Sequence, residues 1–404
     1  MQNTTQKPSF EFIALMASLM SIVALSIDAL LPAFPEIGVS INSLDATEHQ
    51  KLVTMIFLGL GVGQLFFGPL SDAIGRKKVV YLGMVITLLA SLVCVFSPNL
   101  EWMLFGRIVQ GIGLSTSRSI SISMIRDMYK GDVMAKVMSF VTAFFILVPV
   151  VAPAYGKLVL DLANWQAIFY SQMVITILVG FWFWKRQPET LKPEYKQPFT
   201  IRMFWDGFKE FLKYKESVAF TLISGLVTGA FLVYLSASQH IFEDQYGLKE
   251  SFPYIFAGLA ISIGLSTLSN GTLVLRFGMR RLSLTALILF CIIALAFVVL
   301  YMGGANPNVY VLVAFLSLQF FCLGFMWGNF RSIAMEPIGH IAGIGAAING
   351  FFSTVVSIPI ATFIGLFVDT HVYPLFIGLA VCGLLSLAIF LYVRKAKNLV
   401  PATS

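Results

Sequence analysis

Gly68-Pro69-Leu70-Ser71-Asp72-Ala73-Ile74-Gly75-Arg76-Lys77-Lys78 lies between two long apolar runs. One carboxylate and three cations crowd a turn that is only a few residues long. Charges in that position need water, headgroups or partners at the flanking helix ends, and glycine frees the backbone to turn there. The pattern predicts two helices that cross an apolar layer and reverse at its edge. Gly68 and Gly75 are expected to let the two helices close tightly.

The rest of the chain has the same character. Of its 404 residues, 58% are hydrophobic and 12% charged, with a mean hydropathy of +0.85. A soluble domain of this length carries more charge on its surface, so the bilayer is expected to set the fold. A net charge of +7 raises nucleic acid as a partner, but the cations form no patch. Arg76, Lys77, Lys78, Arg126, Lys130, Lys185, Arg186, Arg276, Arg280, Arg281, Arg394, Lys395 and Lys397 fall at alternate junctions, and mainly Lys51, Lys157 and Lys249 at the others. This asymmetry places both termini in the cytoplasm and argues against a nucleic-acid partner. The first apolar run, behind a polar head with Lys7, is too long for a signal-peptide core and reads as a retained helix. Cys94, Cys291, Cys322 and Cys382 lie inside apolar runs without CxxC spacing and read as packing residues.

Apolar runs of roughly 20 residues number about twelve. Their cores are 11–34, 51–70, 78–97, 101–124, 134–158, 165–185, 217–240, 252–275, 281–302, 308–332, 340–367 and 373–393. The long polar interruption holds Pro188, Pro193 and Pro198 and an amphipathic piece around 204–211, expected as an interfacial helix. The chain thus divides into an N-terminal six-helix bundle (1–185), a cytoplasmic linker (186–216) and a C-terminal six-helix bundle (217–404). Gly271-Thr272-Leu273-Val274-Leu275-Arg276-Phe277-Gly278-Met279-Arg280-Arg281 repeats the first turn at both glycines, one leucine and the last two basic positions, with Leu275 in place of the aspartate. The expected fold is all-α, two pseudo-symmetric six-helix bundles with a binding site between them.

Asp28 is the one carboxylate deep within a predicted span. Keeping it charged there costs roughly 2.5–3.5 kcal/mol, so the neutral form is favoured unless a cation compensates. Such a group can load and release a proton; the bland alternative is a structural hydrogen bond, or wetting near Pro32 and Pro35. Arg107, about two turns into the fourth span, is the expected counterpart at similar depth, unless it snorkels to the headgroups. Arg118, about three turns further on, is expected on nearly the same face as Arg107 with Ser115. It either meets an anionic or acyl-bearing substrate or pairs with a carbonyl. Aromatics such as Phe144, Phe145, Tyr155, Phe231, Tyr234, Phe320, Phe321 and Trp327 either floor a cavity or pack ordinarily. Gly59-Leu60-Gly61-Val62-Gly63 sits mid-span, where helix packing outweighs a nucleotide fingerprint. No GxxxxGK[ST] occurs, the four histidines have no metal spacing, and no nucleophile–base set appears in the spans. Neither a cofactor nor enzymatic activity is expected.

Several of these strings resemble one family. The 68–78 turn resembles the signature between the second and third membrane helices of the major facilitator superfamily of secondary transporters. Arg107-Ile108-Val109-Gln110-Gly111-Ile112-Gly113 resembles its fourth-helix motif, whose arginine is linked to proton coupling. Ala152-Pro153-Ala154-Tyr155-Gly156-Lys157 resembles the proline–glycine motif of its antiporters, with alanine for the first glycine and lysine for the last. Pro153 and Gly156 still imply a kinkable helix. Ser26-Ile27-Asp28-Ala29-Leu30-Leu31-Pro32-Ala33-Phe34-Pro35 is similar to the first helix of the bicyclomycin/chloramphenicol-resistance branch of drug:proton antiporters, as are Arg126-Asp127 and Trp165–Phe169. The superfamily resemblance spans the whole chain, the branch-level strings mostly its first half. It implies a monomeric bacterial inner-membrane carrier that exports small amphipathic compounds in exchange for protons, with lipid as its other partner. It also implies that Asp72 joins Arg76 and Arg126 in a network locking the outward-facing state. A second task fits the same fold: carriage of an anionic metabolite or siderophore, in either direction.

Overall fold

The computed structural model describes residues 9–43, 45–303 and 305–398; Lys7 lies outside them. Apolar segments in lipid must satisfy their backbone groups internally, which the helix does, and the described residues are helical almost throughout.

Helix α1 (Phe10–Asp28) stops at its carboxylate. A short 3-10 turn, Leu31–Ala33, follows, and then α2 (Phe34–Ser40). Pro32 and Pro35 lack the amide proton that an interior helical position donates, and both stand where a new helix begins, at positions that need none. The first span was expected to end at 34. It instead reaches Ser40, and the break leaves Asp28 at a buried helix end. Next come α3 (Ala46–Ile74), α4 (Arg76–Val95), α5 (Leu100–Met128), α6 (Gly131–Leu162) and α7 (Trp165–Arg186). Asp45, Asn99 and Asn164 cap α3, α5 and α7 by accepting a backbone N–H.

A short helix, α8 (Ile201–Lys213), precedes the second set: α9 (Lys215–Gln239), α10 (Phe252–Phe277), α11 (Met279–Leu300), α12 (Val309–Met335), α13 (Ala342–Gly365) and α14 (Tyr373–Asn398). In α8, Phe208 stacks on Phe352 of α13 at 5.2 Å, while Trp205 on the same helix is exposed. Hydrogen bonding from Lys213, with a weaker one from His340, holds the Glu210 carboxyl of α8 below the usual carboxylate range.

Eleven described helices are long and apolar enough to cross a membrane. The twelfth, α5, has the length, at 29 residues, but Glu101, Arg107, Arg118, Arg126 and Asp127 dilute its hydropathy. It packs between α3 and α4, where small residues allow close approach. An added Cβ on Gly59 would strike the Ile108 carbonyl, and one on Gly111 the Ile56 carbonyl. The Gly59–Gly63 string is therefore a helix-packing surface.

The two sets of six meet where α3 runs along α13 and α6 along α10. Gly75 (φ 108°) and Gly278 (φ 78°) open α4 and α11 in a conformation that favours glycine. Gly68 differs from the expectation of tight closure. Nothing lies within 4 Å of where its Cβ would be, because it borders open space between the halves.

The sequence repeat is also a repeat of contacts. Arg76, at the head of α4, pairs with Asp127 near the foot of α5 at 2.9 Å. Arg280, at the head of α11, pairs with Glu336 just past α12 at 2.6 Å, and also with Glu216.

Candidate functional site

Asp28 is 5% exposed, and no described residue hydrogen-bonds or ion-pairs with its carboxylate. The phenol of Tyr234, from α9 in the other half, is near enough to interact with its charge. Tyr234 lies against Phe320 at 4.6 Å and Phe256 at 6.2 Å, and Phe231 links this group to Trp327 at 4.9 Å. The Tyr234 hydroxyl and the Trp327 indole N–H are buried without a hydrogen-bond partner among the described residues. An orphaned polar group of this kind costs about 1–3 kcal/mol, a debt that a ligand's acceptors can cancel. A carboxylate of one half thus faces an aromatic cluster of the other that holds two unused donors.

The break after Asp28 is held from several sides. A Cβ on Gly156 would strike the Ala29 carbonyl, so α6 reaches the chain at that point only because residue 156 is glycine. Helix α6 itself continues through Pro149 and Pro153. From α7, Gln172 donates to the Leu25 carbonyl at 3.2 Å.

Arg107 departs from its expected place. It is fully buried and makes no ion pair with Asp28. Its Nη1 donates to the Ser26 carbonyl at 3.0 Å and to Gln110 Oε1 at 2.7 Å, and its Nε donates to the Leu52 carbonyl at 3.1 Å. Gln110 in turn donates to Ser91 Oγ at 2.9 Å. The last carbonyls of a helix lack intrahelical partners and carry its negative end. The break at Asp28 creates such an end, and Arg107 caps it while tying α1 and α3 to α5. Neither the pairing with Asp28 nor the snorkelling reading describes it.

Arg118 faces a different environment. Ser115, expected beside it, is buried against Gly63 and donates to the Ile112 carbonyl. Arg118 borders a cavity of about 620 Å³, its open mouth included, formed by both halves; Gln64, Gly68, Asp72, Arg126 and Arg331 also line it. Arg331, on α12, escaped the sequence reading, because an arginine near the foot of an apolar run reads as an interfacial anchor.

At the basic end, Asp72, Arg76 and Arg126 were expected to associate. Asp72 and Arg76 do, at 2.6 Å, and Ser71 Oγ accepts from the same guanidinium at 2.6 Å. The third member is Asp127, and Arg126 lines the cavity instead. Consecutive helical residues point about 100° apart, so both cannot face Arg76. The linker adds two residues that no motif marks. Glu189 accepts the backbone N–H groups of Arg76 and Lys77 at 3.0 and 3.1 Å, and Thr190 Oγ1 donates to Asp127 at 3.0 Å.

Residues 16–362 match the family model described as Major Facilitator Superfamily. The chain belongs to the Major Facilitator Superfamily. It is a multi-pass membrane transporter and not an enzyme. Among its superfamily relatives it is 29% identical over 370 residues to the uncharacterized MFS-type transporter YdgK of Bacillus subtilis, covering 91% of each chain. It is 28% identical over 283 residues to the bicyclomycin resistance protein homolog of Haemophilus influenzae, covering 70% of this chain and 71% of that one. With the multidrug resistance protein MdtL of a Shewanella strain it shares 27% identity over 395 residues, covering 97% and 98%. The crystal structure of D-xylose-proton symporter, 13% identical, has the same superfamily fold with a TM-score of 0.71, covering 95% of this chain and 97% of that one.

Proposed function

We propose that this transporter exports small amphipathic compounds from the bacterial cytoplasm across the inner membrane, in exchange for protons, as a monomer working by alternating access. The observation that carries the reading is Asp28: a buried carboxylate with no bonded partner among the described residues, at a helix break, facing the other half. The relatives named for bicyclomycin and multidrug resistance support the substrate class. By the positive-inside rule, the end bearing Arg76, Arg126 and Arg280 is cytoplasmic, and the cavity lies toward it.

Asp28 binds a proton while its surroundings are dry and releases it when substrate or water arrives. Substrate and proton therefore each weaken the other's binding. Arg107 holds the break that presents Asp28, and the Asp72–Arg76–Asp127 cluster, opened by Gly75, braces the cytoplasmic end as the halves rock. Pro153 and Gly156 let α6 follow the movement at the break.

The test is proton release from purified protein on adding a panel of amphipathic antibiotics that includes bicyclomycin. The unaltered protein is expected to release protons and Asp28→Asn to release none while still binding. Equal release from both would move the proton site away from Asp28.

A further inference from the structure

Arg118 on α5 and Arg331 on α12 come from opposite halves and border the same cavity. They are close enough for their charges to repel each other. Neither has a carboxylate within ion-pair distance among the described residues, and the Phe145 ring lies 6.0 Å from the Arg118 guanidinium. Asp72, the one carboxylate among the described residues of the cavity wall, is engaged by Arg76 at 2.6 Å. Arg126, nearer the mouth, adds a third positive charge.

Two like charges facing each other inside a membrane protein are costly, because the low dielectric strengthens their repulsion. An anion between them turns that repulsion into two attractions. Guanidinium groups also match carboxylate, sulfonate and phosphate oxygens with paired donors. We infer that Arg118 and Arg331 form a two-sided seat for an anionic group of the transported compound, so that the preferred cargo is an amphipath bearing a carboxylate, sulfonate or phosphate. This rests on the reading that the cavity is the transport path. One arginine from each half means that the bound anion draws the halves together, coupling cargo recognition to closure of the mouth.

The experiment is calorimetric titration of the purified full chain with three probes sharing one apolar body: naphthalene-2-sulfonate, naphthalene-2-carboxamide and 2-naphthylmethylammonium. In the unaltered protein the sulfonate is expected to bind at least about 10-fold more tightly than the amide, and the ammonium more weakly still. Arg118→Gln and Arg331→Gln should each remove about that factor for the sulfonate and leave the amide unchanged. The double variant should lose less than the product of the two, since both act on one anion. Equal binding of the three probes to the unaltered protein would overturn the seat, and that arm needs no variant to fold. Sulfonate binding undiminished in both single variants would overturn it too.

Repeating the titration in phosphatidylcholine nanodiscs with and without phosphatidylglycerol separates cargo from lipid. Loss of sulfonate binding in the anionic discs would assign the arginines to a lipid phosphate and overturn a cargo seat. Asp28→Asn, measured alongside, keeps the two proposals apart. A preserved probe order without proton release in any protein would remove antiport and support the seat. Proton release with no preference among the probes would do the reverse.

Discussion

Arg107 is worth most to the molecule at the place where α1 runs out of hydrogen-bond donors. Its guanidinium takes the Ser26 and Leu52 carbonyls and Gln110 together, a division of labour that a planar fork performs and a point charge cannot. Arg107→Lys should therefore forfeit at least one charged hydrogen bond, worth about 1.5–3 kcal/mol, and lower the thermal midpoint of the purified protein. The number of protons released per bound ligand should stay as it was, because the arginine acts by holding the break and not as the partner of Asp28. A variant as stable as the original that releases no protons would make Arg107 that electrostatic partner after all. Asp28 itself stood out in the sequence, since a lone carboxylate in an apolar run has few innocent explanations. The partners of Arg107 did not, because a backbone carbonyl leaves no mark in a sequence.

Helix α4 begins with a borrowed cap. Gly75 provides no side chain to accept its first amide protons, and the Glu189 carboxylate, 113 residues from Arg76 in the chain, accepts two of them. The linker is thereby fastened to the turn that joins α3 and α4, helped by Thr190 on Asp127 and by the Gln197 amide on the Asp72 carbonyl at 3.1 Å. Loss of a cap costs about 1 kcal/mol, which corresponds to roughly a five-fold larger population of released linker. Glu189→Ala should raise the rate of tryptic cleavage at Lys196 by about that factor, and an unchanged rate would show that Glu189 does not fasten the segment. Most helices were legible as apolar runs between charged junctions, and α5 was found although its arginines lower its hydropathy. The break inside the first span was not placed, because Pro32 and Pro35 fit a helix start as well as a helix end. The resemblance gives Arg126, not Asp127, to the network, and a dipeptide does not say which of its side chains a distant arginine will face.

At the level of the whole molecule, the two ends of the bundle are unequal. The cavity lies toward the basic end, where Gly68, Asp72 and the exposed Arg126 line it. At the other end Gly365 of α13 abuts the Gln50 side chain of α3, and Lys157 of α6 bridges Asp161 at 2.7 Å and Glu250, ahead of α10, at 3.5 Å. The six-plus-six order could be read from the repeated turn, but which end is open could not, because the same charged residues are present whichever end is closed. Lys157 stands where the resembled antiporter motif has its last glycine, so this chain has a charged latch between the halves where that motif has none. Glu250 is 83% exposed on its side chain, and a pair so wetted is worth under about 1 kcal/mol. Breaking it can shift the balance between two states by at most about five-fold. Spin labels at Leu162→Cys on α6 and Tyr254→Cys on α10 would report the separation of the halves at this end, both sites being 78% exposed while the four native cysteines are buried. Adding Glu250→Gln should enlarge the longer-distance population by a factor within that limit, and more at low salt than at high salt, where the pair is already screened. If the distance distribution does not respond at either ionic strength, the Lys157–Glu250 contact follows closure of this end and does not help to hold it.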